Sequence, residues 1–405
     1  MSKNDLKKRF NLMSTKDEKK FDLILKGGIV VDPANNVHEM MDIAVSDQFI
    51  AKVEKKISSD KARRIIDVSG MIVTPGLIDL HAHFFGYFAS IQPDPHCLPN
   101  GTTTVVDAGG SGHKTFDQFN EKIISKSKTR VLALLNIAGK GMVGEPEQDL
   151  DGMSSDDSIN KIKQRPDLII GIKVAHYMGP GWEPLDRGVK AAKETGTFLM
   201  VDQTPIASRP MDEMMLNHLN PGDIVTHCYA YSKPMTDKND KVHSYFYKAR
   251  ERGILFDVGH GAGSFSFRIA KAAIKENFLP DTVSTDMHVS SILANQASMP
   301  EVMTKLLACG MNLDDIVKKS ILDPALKIGH PELGTLSESA IADIAVLNIQ
   351  EGNFGLNDNG SGIRRLNSKI RIICEMTIKD GEILWDLNGR SRDNWEATPV
   401  PYQLY

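Results

Sequence analysis

Two histidines one residue apart close a largely apolar run, in which Ile72 to Leu80 leads into His81-Ala82-His83. In an extended strand, residues two apart share a side. Both imidazoles therefore aim into one space at the strand's end, and neutral imidazole is a favoured ligand for zinc and similar metals. A pair of histidines on a solvated edge reads the same in isolation, so the surroundings decide. Further along, Lys173 sits inside the apolar run Ile170-Gly171-Ile172-Lys173-Val174. A lysine there is costly unless it is paired or modified. Asp202 closes Leu199-Met200-Val201, His227 closes Ile224-Val225-Thr226, His260 follows Asp257-Val258-Gly259, and Asp286 follows Val283-Ser284-Thr285. Each is weak alone: a core histidine is more often packing, and a strand-end aspartate often caps a helix. Together they recur at one phase of successive units. A shared metal site explains that recurrence, with a closed metal-free polar network as the alternative.

The elements that would position these groups follow a regular rhythm. Short β-rich runs at 72–83, 101–109, 130–139, 168–176, 198–205, 223–230, 254–261 and 282–288 alternate with stretches of helical period. Helices are expected over 115–126, 158–163, 185–195, 211–219, 243–252, 265–276, 299–309 and 313–321. Eight strand-helix repeats over residues 74–332 match an α/β fold, a (β/α)8 TIM barrel, whose functional side chains gather where strands run into the following loops. The polar, Pro-containing linker 84–100 reads as a loop over the site. Residues 21–73 read as hairpins, with Lys26-Gly27 separating two strands, and residues 333–388 have the same texture. Neither end covers a sheet face by itself, so the two ends are expected to build one small β-sandwich. Residues 1–20 read as a flexible leader and 389–405 as an arm.

Bulk properties exclude several classes. The 405 residues are 41% hydrophobic and 25% charged, as in an ordinary globular protein, and the net charge of -4 offers no basic field for nucleic acid. The four cysteines, Cys97, Cys228, Cys309 and Cys374, form no Cys-x-x-Cys pair and point to a reducing cytoplasm. No apolar segment follows the basic start, and none is long enough for a bilayer. Homo-oligomerisation stays open. Cys228 would point away from His227 into the helix layer and is not a nucleophile.

The run Pro75-Gly76-Leu77-Ile78-Asp79-Leu80-His81-Ala82-His83 resembles a motif of the amidohydrolase superfamily, and the likeness extends over about residues 21–388. More narrowly, 101–109 and Phe256-Asp257-Val258-Gly259-His260-Gly261 resemble the deacetylase-type metallohydrolases, which are similar to dihydroorotases and D-aminoacylases. The resemblance implies that His81 and His83 hold one metal and that His227 holds a second. It implies that carbamylated Lys173 bridges the two divalent ions, zinc or manganese, and that Asp286 both ligates and moves protons. A metal-bound hydroxide would attack the amide or ester carbonyl of a small N-acyl or O-acyl compound. One departure stands out: the superfamily usually places a histidine at the end of strand five, where this chain has Asp202. Asp202 could ligate a metal or hold a substrate ammonium, and His176 could stand in as a ligand, so a one-metal site stays open. His260, between two glycines that allow close approach, is expected to contact substrate. His176 and Arg209 are weaker candidates for the same pocket. A cyclic-amide hydrolase, a deaminase and a non-catalytic scaffold are the competing functions.

Overall fold

The computed structural model describes residues 20–144, 146–203, 205–360 and 364–396. The expected leader up to residue 19, and the arm beyond residue 396, lie outside the described residues. Two sheets organise the rest. The first is parallel and seven-stranded, built from β6 (Leu77–Ala82), β7 (Thr102–Gly112), β8 (Arg130–Asn136), β9 (Ile169–Ala175), β10 (Phe198–Asp202), β11 (Ile224–Val225) and β12 (Leu255–Phe256), which pair in sequence order. Every residue of β6, β7 and β9 is buried. Burial on both faces is why these strands show no strict alternation of apolar and polar residues.

Helices follow the strands much as their apolar period dictates: Ser155–Gln164, Glu183–Thr195, Ser244–Glu251, Phe267–Lys275 and Met299–Ala308. One expected helix differs. Met211–Glu213 passes into a π-turn over Met214–His218, so 211–219 is not a regular helix. The linker expected as a plain loop also holds a short helix, Pro93–Cys97, with a proline at its start where no intrahelical donor is needed.

The eighth expected run, 282–288, is not a regular strand. It touches both edges of the parallel sheet through isolated bridges, Asp257 with Thr282 and Ala82 with Met287. His260 N donates to Ser284 O at 3.2 Å, and His83 N donates to Met287 O at 2.9 Å. Its hydroxyls are drawn to buried carboxylates: Ser284 donates to Asp257 at 2.6 Å, and Thr285 donates to Asp79. Those side-chain bonds replace part of a backbone ladder.

The second sheet has eight strands, from both ends of the chain. Its order is β15-β14-β13-β5-β1-β2-β3, with β4 (Ala62–Asp67) paired to β1. Here β1 is Phe21–Asp32, β2 Val37–Ser46, β3 Phe49–Glu54 and β5 Ile72–Pro75; β13 is Ile344–Asn357, β14 Arg365–Lys379 and β15 Glu382–Asp386. The antiparallel pairing of β5 with β13 joins the two ends. Leu23, Ile43, Val73, Ile344, Val346 and Met376 share one buried core. Lys26-Gly27 is a bulge within one strand rather than a break between two. The register shifts there, Gly27 has φ 72°, and Asp42 holds both Lys26 Nζ (2.7 Å) and Gly27 N (2.9 Å). Among the described residues no helix is long and apolar enough to cross a membrane.

Candidate metal centre and its cavity

β6 delivers His81 and His83 to one end of the parallel sheet, both buried. The protonation of His81 follows from its neighbours. Thr226 Oγ1 donates to Asp257 Oδ2 at 2.7 Å, so its oxygen accepts from His81 Nδ1 at 3.0 Å. The Nε2 lone pair of His81 is left facing the other site residues. His227 repeats the arrangement, its Nδ1 donating to Gly259 O at 2.6 Å. Such bonds fix the tautomer and aim of metal-binding imidazoles.

Asp286 completes the group. Its Oδ1 lies 3.0 Å from His83 Nε2 and 3.6 Å from His81 Nε2. Donor atoms of His81, His227 and Asp286 all come within 4.8 Å of one another. His227 (φ 61°) and Asp286 (φ 47°) adopt left-handed backbone, which costs an L-residue roughly 1–2 kcal/mol. Strain of this kind concentrates at functional sites.

Lys173 points into the same space, with Nζ 3.1 Å from His81 Nε2. Room for its stem comes from Gly109, at φ 88°, where a Cβ would lie 2.7 Å from Lys173 Cβ and Cγ. Asp202 stands at the end of β10, with Oδ2 2.9 Å from His227 Nε2 and Oδ1 2.9 Å from Lys233 Nζ. His176 Nε2 is 3.6 Å from Asp202 Oδ2, and its Nδ1 meets Glu147 Oε2 at 2.9 Å. Asn136 Nδ2 donates to the other oxygen of Glu147 at 2.9 Å. A cavity of about 350 Å³ opens here, lined among others by His83, Tyr87, His176, Asp202, His227, Lys233, Asp286 and His288.

Burial governs the electrostatics. It pushes the His81 imidazole well below its ordinary pKa, helped by the Lys173 ammonium, so His81 stays neutral. Burial also lowers Lys173, against the pull of Asp202 and Asp286. For Asp202, burial pushes up, but His227 and Lys233 outweigh it and hold the carboxyl well below the usual range. Burial opposes ionisation of Asp286 too; the hydrogen bond from His83 and the charges of His83, His227 and His288 win, and the carboxyl is lowered. The hydrogen bond to Glu147 raises His176.

No protein-family model matches the chain. It is 31% identical over 339 residues to a deacetylase of Brucella anthropi, a match that takes in 80% of this chain and 84% of the relative. The chain belongs to the amidohydrolase superfamily. It is a hydrolase of carbon–nitrogen bonds other than peptide bonds. Among solved structures, it resembles an adenine deaminase, with a TM-score of 0.82 and 28% identity, covering 90% of this chain and 100% of that one. A dihydroorotase structure follows with a TM-score of 0.78 and 27% identity, covering 89% and 98%.

Superfamily members typically bind a divalent metal, and the donor set here fits one. Neutral His81, its Nδ1–H bonded away to Thr226, turns its Nε2 lone pair toward the Asp286 carboxylate, and a ring nitrogen of His227 joins them within 4.8 Å. Acceptors gathered this closely out of water call for a cation among them.

Two expected substrate contacts lie elsewhere in this amidohydrolase. His260 is fully buried and bonded to Lys305 Nζ (2.7 Å) and to Asn359 Nδ2 (3.1 Å), away from the cavity lining. The glycines beside it have positive φ, 47° and 54°, and the close approach that Gly261 allows is to Asp286 Oδ2, 2.5 Å from where a Cβ would sit. Arg209 is also buried: Nη2 donates to Tyr177 O at 2.6 Å, and the guanidinium lies over the Tyr177 ring. His176, by contrast, does line the cavity. Sequence reasoning misses Lys233, Glu147 and His288. Lys233 lies in a loop and Glu147 in a single 3-10 turn, Pro146–Gln148, too short for any period to mark a position. His288 stands two residues beyond Asp286, and that proximity is the available signal. Cys228 is buried, and burial pushes its thiol well up, as suits a packing residue.

Proposed function

We propose that this amidohydrolase is a metal-dependent deacylase of small N-acyl compounds, with esters of acylated hydroxy acids as near neighbours. The observation that carries the reading is the convergence of His81, His227 and Asp286 donor atoms within 4.8 Å beside the cavity. The deacetylase name of the relative supports the acyl substrate. A divalent ion bound there would polarise a substrate carbonyl and bring a water's pKa down toward neutrality. His81, His83, His227 and Asp286 would hold it; zinc suits that set, and added carboxylate favours manganese. Asp286 takes the proton of the attacking water and passes it to the leaving nitrogen. Lys173, whose burial favours the neutral amine, is suited to take up CO2, and as a carbamate it adds an anionic oxygen donor. The parallel sheet and its bridging segment are read as the closed (β/α)8 barrel, and the terminal sheet as its β-sandwich partner. Four free, buried cysteines support a reducing compartment such as the cytoplasm.

The runner-up is cyclic-amide opening, favoured by the dihydroorotase neighbour. Deamination, the activity that the adenine deaminase neighbour suggests, is set apart by Lys173, which a deaminase site would not need. The test is a panel of N-acyl amino acids, O-acyl hydroxy acids, dihydroorotate, hydantoins and adenine, assayed with added zinc or manganese and after chelation. Acyl release that chelation abolishes is the expected result. Ring opening alone would transfer the assignment to the runner-up, ammonia release from adenine to a deaminase, and inert protein without metal to a scaffold.

A further inference from the structure

The position where the superfamily usually has a strand-five histidine is occupied here by an ion pair. Asp202 and Lys233 are both withdrawn from water, with side chains 13% and 6% exposed. Lys233 already holds Asp202 Oδ1 at 2.9 Å, and the other oxygen, Oδ2, lies at the same distance from His227 Nε2. His176, the other candidate ligand nearby, bonds through Nδ1 to Glu147, which Asn136 anchors, and its Nε2 lies 3.6 Å from Asp202 Oδ2. The donor group that closes to within 4.8 Å among the described residues contains neither Asp202 nor His176. One compact set of donors is therefore present, and beside it stands a buried carboxylate already neutralised by a fixed ammonium.

We infer that the centre takes one divalent ion, and that the Lys233 ammonium, anchored by Asp202, occupies the place of a second. This rests on the metal-dependent reading above. A second dication on Asp202 would have to lie against Lys233 in a poorly screened environment, where like charges repel strongly. Lys233 lines the cavity, so its charge faces the same space as the ion's. It supplies a fixed positive charge at no cost in metal, and it needs no bridge: a Lys173 carbamate would end on the single ion. The aspartate at strand five is then a paired exchange with Lys233, a histidine and a cation giving way to a carboxylate and an ammonium.

The experiment counts ions in the full-length protein. The protein is stripped with chelator, reloaded with excess zinc, freed of unbound metal, and its zinc per chain is measured by plasma mass spectrometry. A parallel sample is loaded with manganese for electron paramagnetic resonance, which separates an isolated ion from an exchange-coupled pair. The wild type is expected to hold one zinc and to give the isolated-ion spectrum. Lys233→Met is expected to admit a second zinc and to give the coupled spectrum, whereas Lys233→Arg, which keeps the charge, stays at one. Should Lys233→Met fail to fold, Asp202→His, which restores the usual ligand and frees Lys233 of its anchor, is expected to rise to two. Two ions in the wild type would overturn the inference and leave the metal-dependent reading standing. One ion in a folded Lys233→Met would overturn it as well, because Lys233 would not be what excludes the second. No zinc in any form would instead overturn the metal-dependent reading.

Discussion

The backbone carbonyl of Gly259 lies 2.6 Å from Nδ1 of His227, and this contact decides which way the ring's lone pair points. Gly259 has φ 47°, and a Cβ there would sit 2.6 Å from that same nitrogen and 2.3 Å from Thr226 Oγ1. Gly259→Ala should therefore push on both the His227 ring and the hydroxyl that orients His81. We expect zinc affinity to fall about 10–100-fold, as for other losses of a ligand's supporting hydrogen bond. Zinc titration against a competing chelator measures it. Unchanged affinity would show that the carbonyl does not orient the ring.

Lys173 offers a chemical signature. Loaded with ¹³C-bicarbonate and zinc, the wild type should show a carbamate carbonyl resonance that Lys173→Met lacks. The variant should also lose most of its acyl-releasing activity. A wild-type spectrum without that resonance removes the carbamate from the account while leaving the lysine in place.

Asp286→Asn keeps the side-chain shape and removes the base. At saturating zinc, kcat should fall about 10²–10⁴-fold, the usual contribution of general acid–base catalysis. Turnover within a few-fold of wild type would mean the proton travels by another group, and His288, on the same cavity wall, would be the one to examine next.

Much of the centre is legible in the sequence because strands announce themselves. The expected strand 72–83 divides at Gly76, its first part, Ile72–Pro75, joining the terminal sheet. Once the remainder and 223–227 are read as buried parallel strands, the groups at their ends are placed by the fold rather than by local sequence. The ends of β6, β9, β10 and β11 accordingly carry His81, Lys173, Asp202 and His227 to one region. Legibility ends where backbone direction depends on dihedral angles that sequence only hints at. Positive φ at Gly259 and Gly261 turns the chain, and His260 ends against Lys305 of helix Met299–Ala308. Lys233 is invisible for a different reason. Its meaning lies in the partner, and a contact between residues 31 positions apart, one of them in an irregular loop, leaves no pattern in the chain.

The cluster around His260 makes a pH-dependent prediction. Burial pushes Lys305 down to about 8. In the unfolded chain a lysine titrates near its ordinary value of about 10.4. Below about pH 8 both states hold the proton, and the cost of the buried charge is felt in full. Between the two values the unfolded chain binds a proton that the native protein lacks, so this contribution makes stability rise with pH, by no more than a few kcal/mol. Lys305→Met should abolish that rise. Urea midpoints for both proteins at about pH 7.5 and about pH 10 provide the comparison. Parallel profiles would mean that Lys305 keeps its proton in the native core across this range, so that burial does not lower it.

The pairing of β5 with β13, and the core that Leu23 and Ile43 share with Ile344 and Met376, also bear on how the protein is made. A ribosome releases the first strands long before it has translated their partners. Through most of synthesis the nascent chain therefore carries an uncovered apolar face, the condition that invites aggregation and chaperone capture. A stop codon just before Ile344 would spare every histidine of the centre, yet it would strand the beginning of the chain without a mate.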